Sequence, residues 1–265
     1  MQRPRLLLVN IEEYHKMHAL EKNYWWFQAR RKMIRTLLAE LVPKCWVPAD
    51  AALASRPALR ILDIGCGTGM LMEDLQAYGW VAGLDFSPVA LAYCRERRLP
   101  NLARADVQRL PVRSNSVDLL TALDLVEHVE DDRKLMGEIH RVLRPGAYAL
   151  MSVPAHKRLW SNHDVALHHF RRYEKSEFRQ LVLGAGLEIE KCSYMMASIY
   201  WPAAIYRRLK KHFLRPSASP KTDEFPLPVW VNTLLRAVVS AEAPLLRRYS
   251  MPCGLSIVCI ARKPA

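Results

Sequence analysis

No stretch of this chain approaches the roughly 18 consecutive apolar residues that a membrane-spanning helix needs. The apolar run near the start, Leu6-Leu7-Leu8-Val9, is too short for a signal peptide and gives way to Glu12 and Glu13. The expectation is a cytoplasmic protein, soluble or peripheral at the inner face of the membrane. The six cysteines (Cys45, Cys66, Cys94, Cys192, Cys253 and Cys259) lack any CxxC pair. That spacing argues against a zinc site or a disulfide framework and for reduced thiols. Internal repeats and low-complexity tracts are also missing, and a charged fraction of 25% is too low for a disordered chain. What is there is 265 residues, 51% of them hydrophobic, enough to bury one sizeable core. The formal charge of +13 favours an anionic partner: nucleic acid, an acidic membrane surface or a phosphorylated substrate.

Residues 12–41 contain helix formers and neither Pro nor Gly, and predict one helix. Pro43, Pro48 and Pro57 mark a linker. From Leu59 short apolar runs alternate with helical stretches, the pattern of a parallel sheet with crossover helices. Strands are expected at 59–64, 81–85, 102–105, 117–123 and 147–153, the last after a Pro145-Gly146 turn. Further strands are expected near 187–193 and 255–261. Between those two lie residues that a minimal α/β domain does not need. They include Trp201, the basic residues Arg207, Arg208, Lys210, Lys211 and Arg215, a Pro/Ser stretch at 216–220 and an apolar helix over 228–246. The division expected is 1–58 as an N-terminal helical segment and linker, 59–194 as a Rossmann-like core, 195–250 as a helical insertion, and 251–265 as the last core strand.

The strongest local signal is Asp63-Ile64-Gly65-Cys66-Gly67-Thr68-Gly69 after an apolar strand. Glycines there let the backbone take positive φ and approach a ligand, and the following helix N-terminus attracts a carboxylate. A dinucleotide fingerprint wants Gly at position 70, where this chain has Met70. Asp85, at the end of the second strand, suits a ribose diol, since Ser87 before Pro88 already caps the next helix. Asp106 and Val107 follow the third strand, where an acceptor and a backbone N–H meet an adenine edge or simply form a turn.

Together these segments resemble the successive motifs of class I S-adenosylmethionine (SAM)-dependent methyltransferases, over about residues 59–153. The resemblance implies a seven-stranded sheet with an antiparallel last strand and SAM as cofactor. It also implies a cofactor-side set of Asp63, Gly65, Cys66, Gly67, Gly69, Asp85, Phe86, Asp106, Val107 and Leu123. Among these, Asp63 orients the loop and Leu123 offers its carbonyl to the ammonium. Tyr24-Trp25-Trp26-Phe27 followed by Ala29-Arg30-Arg31, and the stretch from Leu159-Trp160-Ser161-Asn162-His163-Asp164 through His169 to Arg171-Arg172-Tyr173, are similar to segments of a bacterial subgroup often found beside glycosyltransferase and envelope-lipid genes. A small-molecule, glycan or lipid-linked acceptor is the expectation, with transfer to oxygen.

Methyl transfer is an in-line displacement, and a base is needed only where the nucleophile must lose a proton. If a helical turn begins at Asp124, then Asp124, Glu127 and His128 share a face. His128, His163 and His169 are the candidate bases, against a capping or surface role for His128. Arg171, Arg172 and Tyr173 join Asp124 as substrate-side candidates; paired arginines grip phosphate or carboxylate, or else form a solvated face. The histidines would also suit a metal, but the reaction expected here calls for none. Trp25 and Trp26 read as a lid or aromatic wall, or as packing for the first helix. Residues 195–250 read as a lid, a homodimer interface or a basic, aromatic membrane dock. A nucleic-acid acceptor is disfavoured, because Leu123-Asp124-Leu125-Val126 stands where amino-methylating enzymes often carry (Asp/Asn)-Pro-Pro-(Tyr/Phe). A non-catalytic SAM-fold module is the third reading, and the intact loop and Asp85 argue against it.

Overall fold

The computed structural model describes residues 10–45, 58–213, 222 and 226–265, without side-chain placement for 210–213. The Leu6–Val9 run, the linker prolines Pro48 and Pro57, the 216–220 stretch, Arg215 and the side chains of Lys210 and Lys211 lie outside the described residues.

Seven strands form one sheet: β1 (Leu59–Ile64), β2 (Gly79–Asp85), β3 (Leu102–Arg104), β4 (Val117–Leu123), β5 (Leu143–Pro154), β6 (Glu188–Met195) and β7 (Ser256–Arg262). Their order is β3-β2-β1-β4-β5-β7-β6. β1 to β5 pair in parallel, and β7 runs antiparallel between β5 and β6. The central strands carry apolar residues on both faces because both are covered; Ile61, Ile64, Leu119 and Leu120 are wholly buried. β5 runs through Pro145-Gly146 instead of starting after it. A register shift between Val117 and Leu119, with Gly146 at φ 79°, absorbs the expected turn as a bulge.

On one face pack α2 (Trp25–Cys45), α3 (Met70–Leu75) and α4 (Pro88–Glu96); on the other, α5 (Asp132–Val142) and α7 (Lys175–Gly184), after the short α6 (Asn162–Ala166). α2 buries the stripe Ala29, Met33, Leu37 and Leu41, spaced one helical turn apart. Each of its larger side chains contributes roughly 1.5–3 kcal/mol through burial. The helix expected over 12–41 is in fact two, α1 (Ile11–Leu20) and α2, because the chain turns at Glu21–Tyr24. Tertiary contacts impose that break: buried Glu21 pairs with Arg97, and the Trp25 N–H donates to Asn232 Oδ1 at 2.9 Å.

The insertion forms α8 (Tyr200–Phe213), α9 (Val229–Ser240) and α10 (Glu242–Arg248), splitting the helix expected over 228–246 at Ala241. Glu242 is buried and accepts from the amides of Ala197 and Ser198, both at 2.8 Å, which fixes the entry to α8. Val239, Ala243 and Leu246 join the core beside α2. Along Val229–Arg248 an 18-residue window reaches a mean hydropathy of 1.2, the length and composition of a spanning segment, but Asn232, Arg236 and Glu242 interrupt it and the helix breaks at Ala241.

Candidate active site

Ligands of open α/β sheets bind beyond the carboxyl ends of the strands. A cavity of about 630 Å³ opens there. Its first half is floored by the turn after β1. Gly65 donates its N–H to the Leu84 carbonyl at 2.7 Å, anchoring the loop to β2. Gly67 has φ 55° and faces the cavity, where an added Cβ would meet only Met17 Cε, at 3.3 Å. Gly69 has a different task. At φ 84° it caps α3, with its α-carbon so close to the end of α4 that a Cβ would lie 2.9 Å from Cys94 Sγ and 2.3 Å from Leu99 Cδ1 just beyond that helix. It packs helices rather than lining the cavity.

Asp85 reaches the same wall, nearly buried. Its carboxylate accepts from Gly67 N–H at 2.9 Å and Ser87 N–H at 2.8 Å, so it shapes the glycine loop as well as facing the space above it. Burial raises its pKa, with those amides opposing. Cys66, Phe86, Val107 and Leu123 line the cavity too, whereas Asp106 does not. The Asp106 carboxylate closes its own turn by accepting from Gln108 N–H at 2.9 Å, which leaves Val107 to form the wall. Asp63 is buried, accepts from Thr121 Oγ1 at 2.6 Å, and is pushed up by burial to about 7.

Asp124 departs from the expected helical turn. It takes φ 51°, and the only helical backbone there is a 3-10 turn over Val126–His128. Its carboxylate turns to Arg30 at 2.7 Å and accepts from Ser152 Oγ at 2.9 Å. Asp124, Glu127 and His128 nonetheless all line the cavity. Burial, then the neighbouring His169 and His168, pushes His128 down to about 3, so it is a weak base at neutral pH.

The segment after β5 is organised by Asp164, which is wholly buried. It accepts from Ser161 N–H at 2.8 Å, His169 Nδ1 at 2.9 Å and Arg172 Nε at 2.6 Å. Burial alone would raise the Asp164 carboxyl, but the His169 hydrogen bond and the Arg172 guanidinium hold it well below the usual range. His163, His169 and Arg172 line the cavity. Arg171 and Tyr173 do not, and the expected arginine pair separates. Arg171 Nη1 and the Tyr173 hydroxyl both donate to Asp132 Oδ2, at 2.7 and 2.8 Å, tying the segment to the start of α5.

The cavity's second half is apolar. Trp25 and Trp26 stand on its wall and also pack against the core, alongside Ile199 and Leu235. The helices before the sheet supply further cavity residues, of which Tyr14 and Met17 belong to no sequence motif. Tyr14 and Met17 of α1 cover the glycine loop, with the Tyr14 hydroxyl hydrogen-bonded to Ser87. Arg30 of α2 reaches Asp124. It belongs to the Ala29-Arg30-Arg31 stretch that continues the aromatic motif, which was its sequence signal.

Residues 62–151 match the family model of the methyltransferase domain. This chain carries a class I methyltransferase domain. The cofactor of that family is SAM. The domain is 32% identical over 145 residues to a probable S-adenosylmethionine-dependent methyltransferase of Mycolicibacterium smegmatis, covering 52% of this chain and 56% of that one. It is 28% identical over 151 residues to a ubiquinone biosynthesis O-methyltransferase of Pseudomonas aeruginosa, covering 54% and 63%. The chain thus spans 56 to 63% of the length of these curated relatives. The fold matches the crystal structure of a SAM-dependent methyltransferase from Archaeoglobus fulgidus with a TM-score of 0.54, at 15% identity, over 88% of this chain and 94% of that one.

Proposed function

We propose that the protein transfers a methyl group from SAM to a hydroxyl of a small or lipid-linked acceptor. The observation that carries this reading is a single cavity with two unlike halves. One is walled by the glycine loop, Asp85, Phe86 and Val107; the other by Trp25, Trp26, Ile199 and Leu235; Glu127, His128 and His169 line the same cavity. The first half fits SAM: Gly67 leaves room for close approach, and the acidic groups of Asp63, Asp85 and Asp124 suit a cationic ligand. Gly65 and Gly67 would border the methionyl part, Asp85 the ribose, Val107 the adenine, and the Leu123 carbonyl the ammonium. Bound SAM supplies an electrophilic methyl group on a positively charged sulfur. The chain's own task is to align the acceptor, and the aromatic wall does so for an apolar body. The Glu127–His128–His169 cluster receives the polar end, where a hydroxyl must become more acidic to react. The O-methyltransferase among the relatives supports oxygen as the accepting atom.

The lipid-linked form of the acceptor is favoured by the outer faces of α8, α9 and α10. Trp201, Ile205, Leu209, Trp230 and Leu234 are exposed, and Arg208 and Arg236 share those helices. In-plane helices of this composition bind anionic bilayers. Tritiated SAM offered with extracted lipid, nucleic acid or protein pools tests the reading. Label entering the lipid pool is expected; label in another pool reassigns the acceptor, and none in any pool returns the non-catalytic alternative.

A further inference from the structure

Glu127, His128 and His169 meet on the cavity wall as three acceptors. Glu127 is 0% exposed, and neither of its carboxylate oxygens is hydrogen-bonded to another residue. His128 leaves Nδ1 buried and without a partner, while its other ring nitrogen faces the Leu167 carbonyl. His169 turns Nδ1 to Asp164 Oδ1, at 2.9 Å. A ring nitrogen held against a carbonyl or carboxylate is the N–H donor, so the second nitrogen of the neutral ring is a bare lone pair. Both imidazoles therefore present lone pairs beside the Glu127 carboxylate, and one ligand atom of each residue lies within 4.8 Å of the other two. Buried acceptors gathered without a donor are costly unless something positive sits between them.

We propose that Glu127, His128 and His169 hold a divalent transition-metal cation, with Zn²⁺ the best fit. Two imidazoles and one carboxylate suit Zn²⁺ and its neighbours; Mg²⁺ and Ca²⁺ prefer oxygen. Tetrahedral ligands about 2.1 Å from a zinc ion sit about 3.4 Å apart, so modest side-chain rotation closes the set. The outer contacts match those of metal-binding histidines, which donate the remaining N–H to a carboxylate or carbonyl. Asp164 does this for His169 and is itself fixed by Arg172 and Ser161. The Leu167 carbonyl does it for His128. All three ligands line the cavity, so the remaining coordination position faces it. A hydroxyl bound there would be acidified, a role that rests on the methyl-transfer reading; cation binding itself does not.

The test is metal binding by tag-free, chelator-treated protein. Zn²⁺ is titrated in competition with a chromophoric chelator, and Co²⁺ is added as a visible-absorbing stand-in. Expected are one tight equivalent per chain and tetrahedral Co²⁺ bands. Glu127→Gln and His169→Ala should each weaken binding at least 10-fold, and Asp164→Asn by about 10–100-fold. His140→Ala, half-buried on α5 and outside the cavity lining, should leave it unchanged. Circular dichroism identifies variants that fold. Wild-type affinity in folded Glu127→Gln and His169→Ala, or loss of the tight equivalent in His140→Ala, would overturn the proposal. If the variants do not fold, wild type decides: no Co²⁺ bands means that a proton on Glu127, not a cation, reconciles these groups. SAM titrated into the same metal-free protein reads the methyltransferase proposal separately.

Discussion

Arg30 and Asp124 form an ion pair, 2.7 Å between Nη2 and Oδ2, that joins α2 to the end of β4 on the cavity wall. Ser152 closes a triangle, accepting from Arg30 at 3.0 Å and donating to Asp124 at 2.9 Å. Both charged groups keep contact with solvent, so Arg30→Met should cost about 1 kcal/mol or less in urea unfolding. Its effect on turnover should be larger, because the triangle sets where Asp124 and α2 stand relative to an acceptor. A change in turnover no larger than the stability loss predicts would confine the triangle to holding the fold.

Asp85→Ala should weaken SAM binding by about 1.5–3 kcal/mol, roughly 10–150-fold, by titration calorimetry. Two losses combine here: a facing acceptor disappears, and the Gly67 and Ser87 amides lose their shared partner. Asp85→Asn keeps one acceptor oxygen and should fall between. Equal affinities in all three proteins would take Asp85 out of the cofactor site.

The Asp63 carboxyl rises from 3.8 to about 7 on folding because it is buried. Between those values the folded protein keeps a proton that the unfolded chain has released. Stability should therefore fall as pH climbs from about 4 towards 7, and this contribution should be flat above that. Asp63→Asn, which still accepts from Thr121, should remove roughly 2–3 kcal/mol of that decline between pH 5 and pH 8. Denaturant titrations at the two pH values measure it; parallel behaviour of wild type and variant would place the slope elsewhere.

Glu21 is 2% exposed and depends on Arg97, which also donates to Glu73 Oε1 at 2.7 Å and the Thr68 carbonyl at 2.8 Å. Arg97→Ala leaves the buried carboxylate with only the Thr68 hydroxyl and His18, 3.2 Å away, and should cost about 3–5 kcal/mol. The double variant Glu21→Gln, Arg97→Met should recover part of that loss. A double variant no more stable than Arg97→Ala would show that guanidinium packing, not charge, holds the turn.

β1 and β4 were legible to the residue, because an apolar run bounded by turn residues is a local signal. The same holds for Ser87, whose side chain accepts from Ala90 N–H ahead of a helix that begins with Pro88. What stayed hidden was set by partners far along the chain. Glu21 ends α1 for the sake of Arg97, and Asn232 caps α2 across 207 residues. The left-handed backbone at Asp124 carries no local glycine to announce it. Arg171 and Arg172 look equivalent as neighbours, yet Asp132 takes one and Asp164 the other.

The turn at Glu21–Tyr24 has a thermodynamic consequence. It joins the helix that covers the glycine loop, through Tyr14 and Met17, to the helix that walls the apolar half, through Trp25, Trp26 and Arg30. Any shift of this hinge on occupancy of one compartment is transmitted to the other, and linkage makes the effect reciprocal. The factor by which SAM alters the acceptor's affinity equals the factor by which the acceptor alters SAM's. Titrating either ligand in the presence of the other measures that single number, and cutting Glu21 loose from Arg97 should move it towards one.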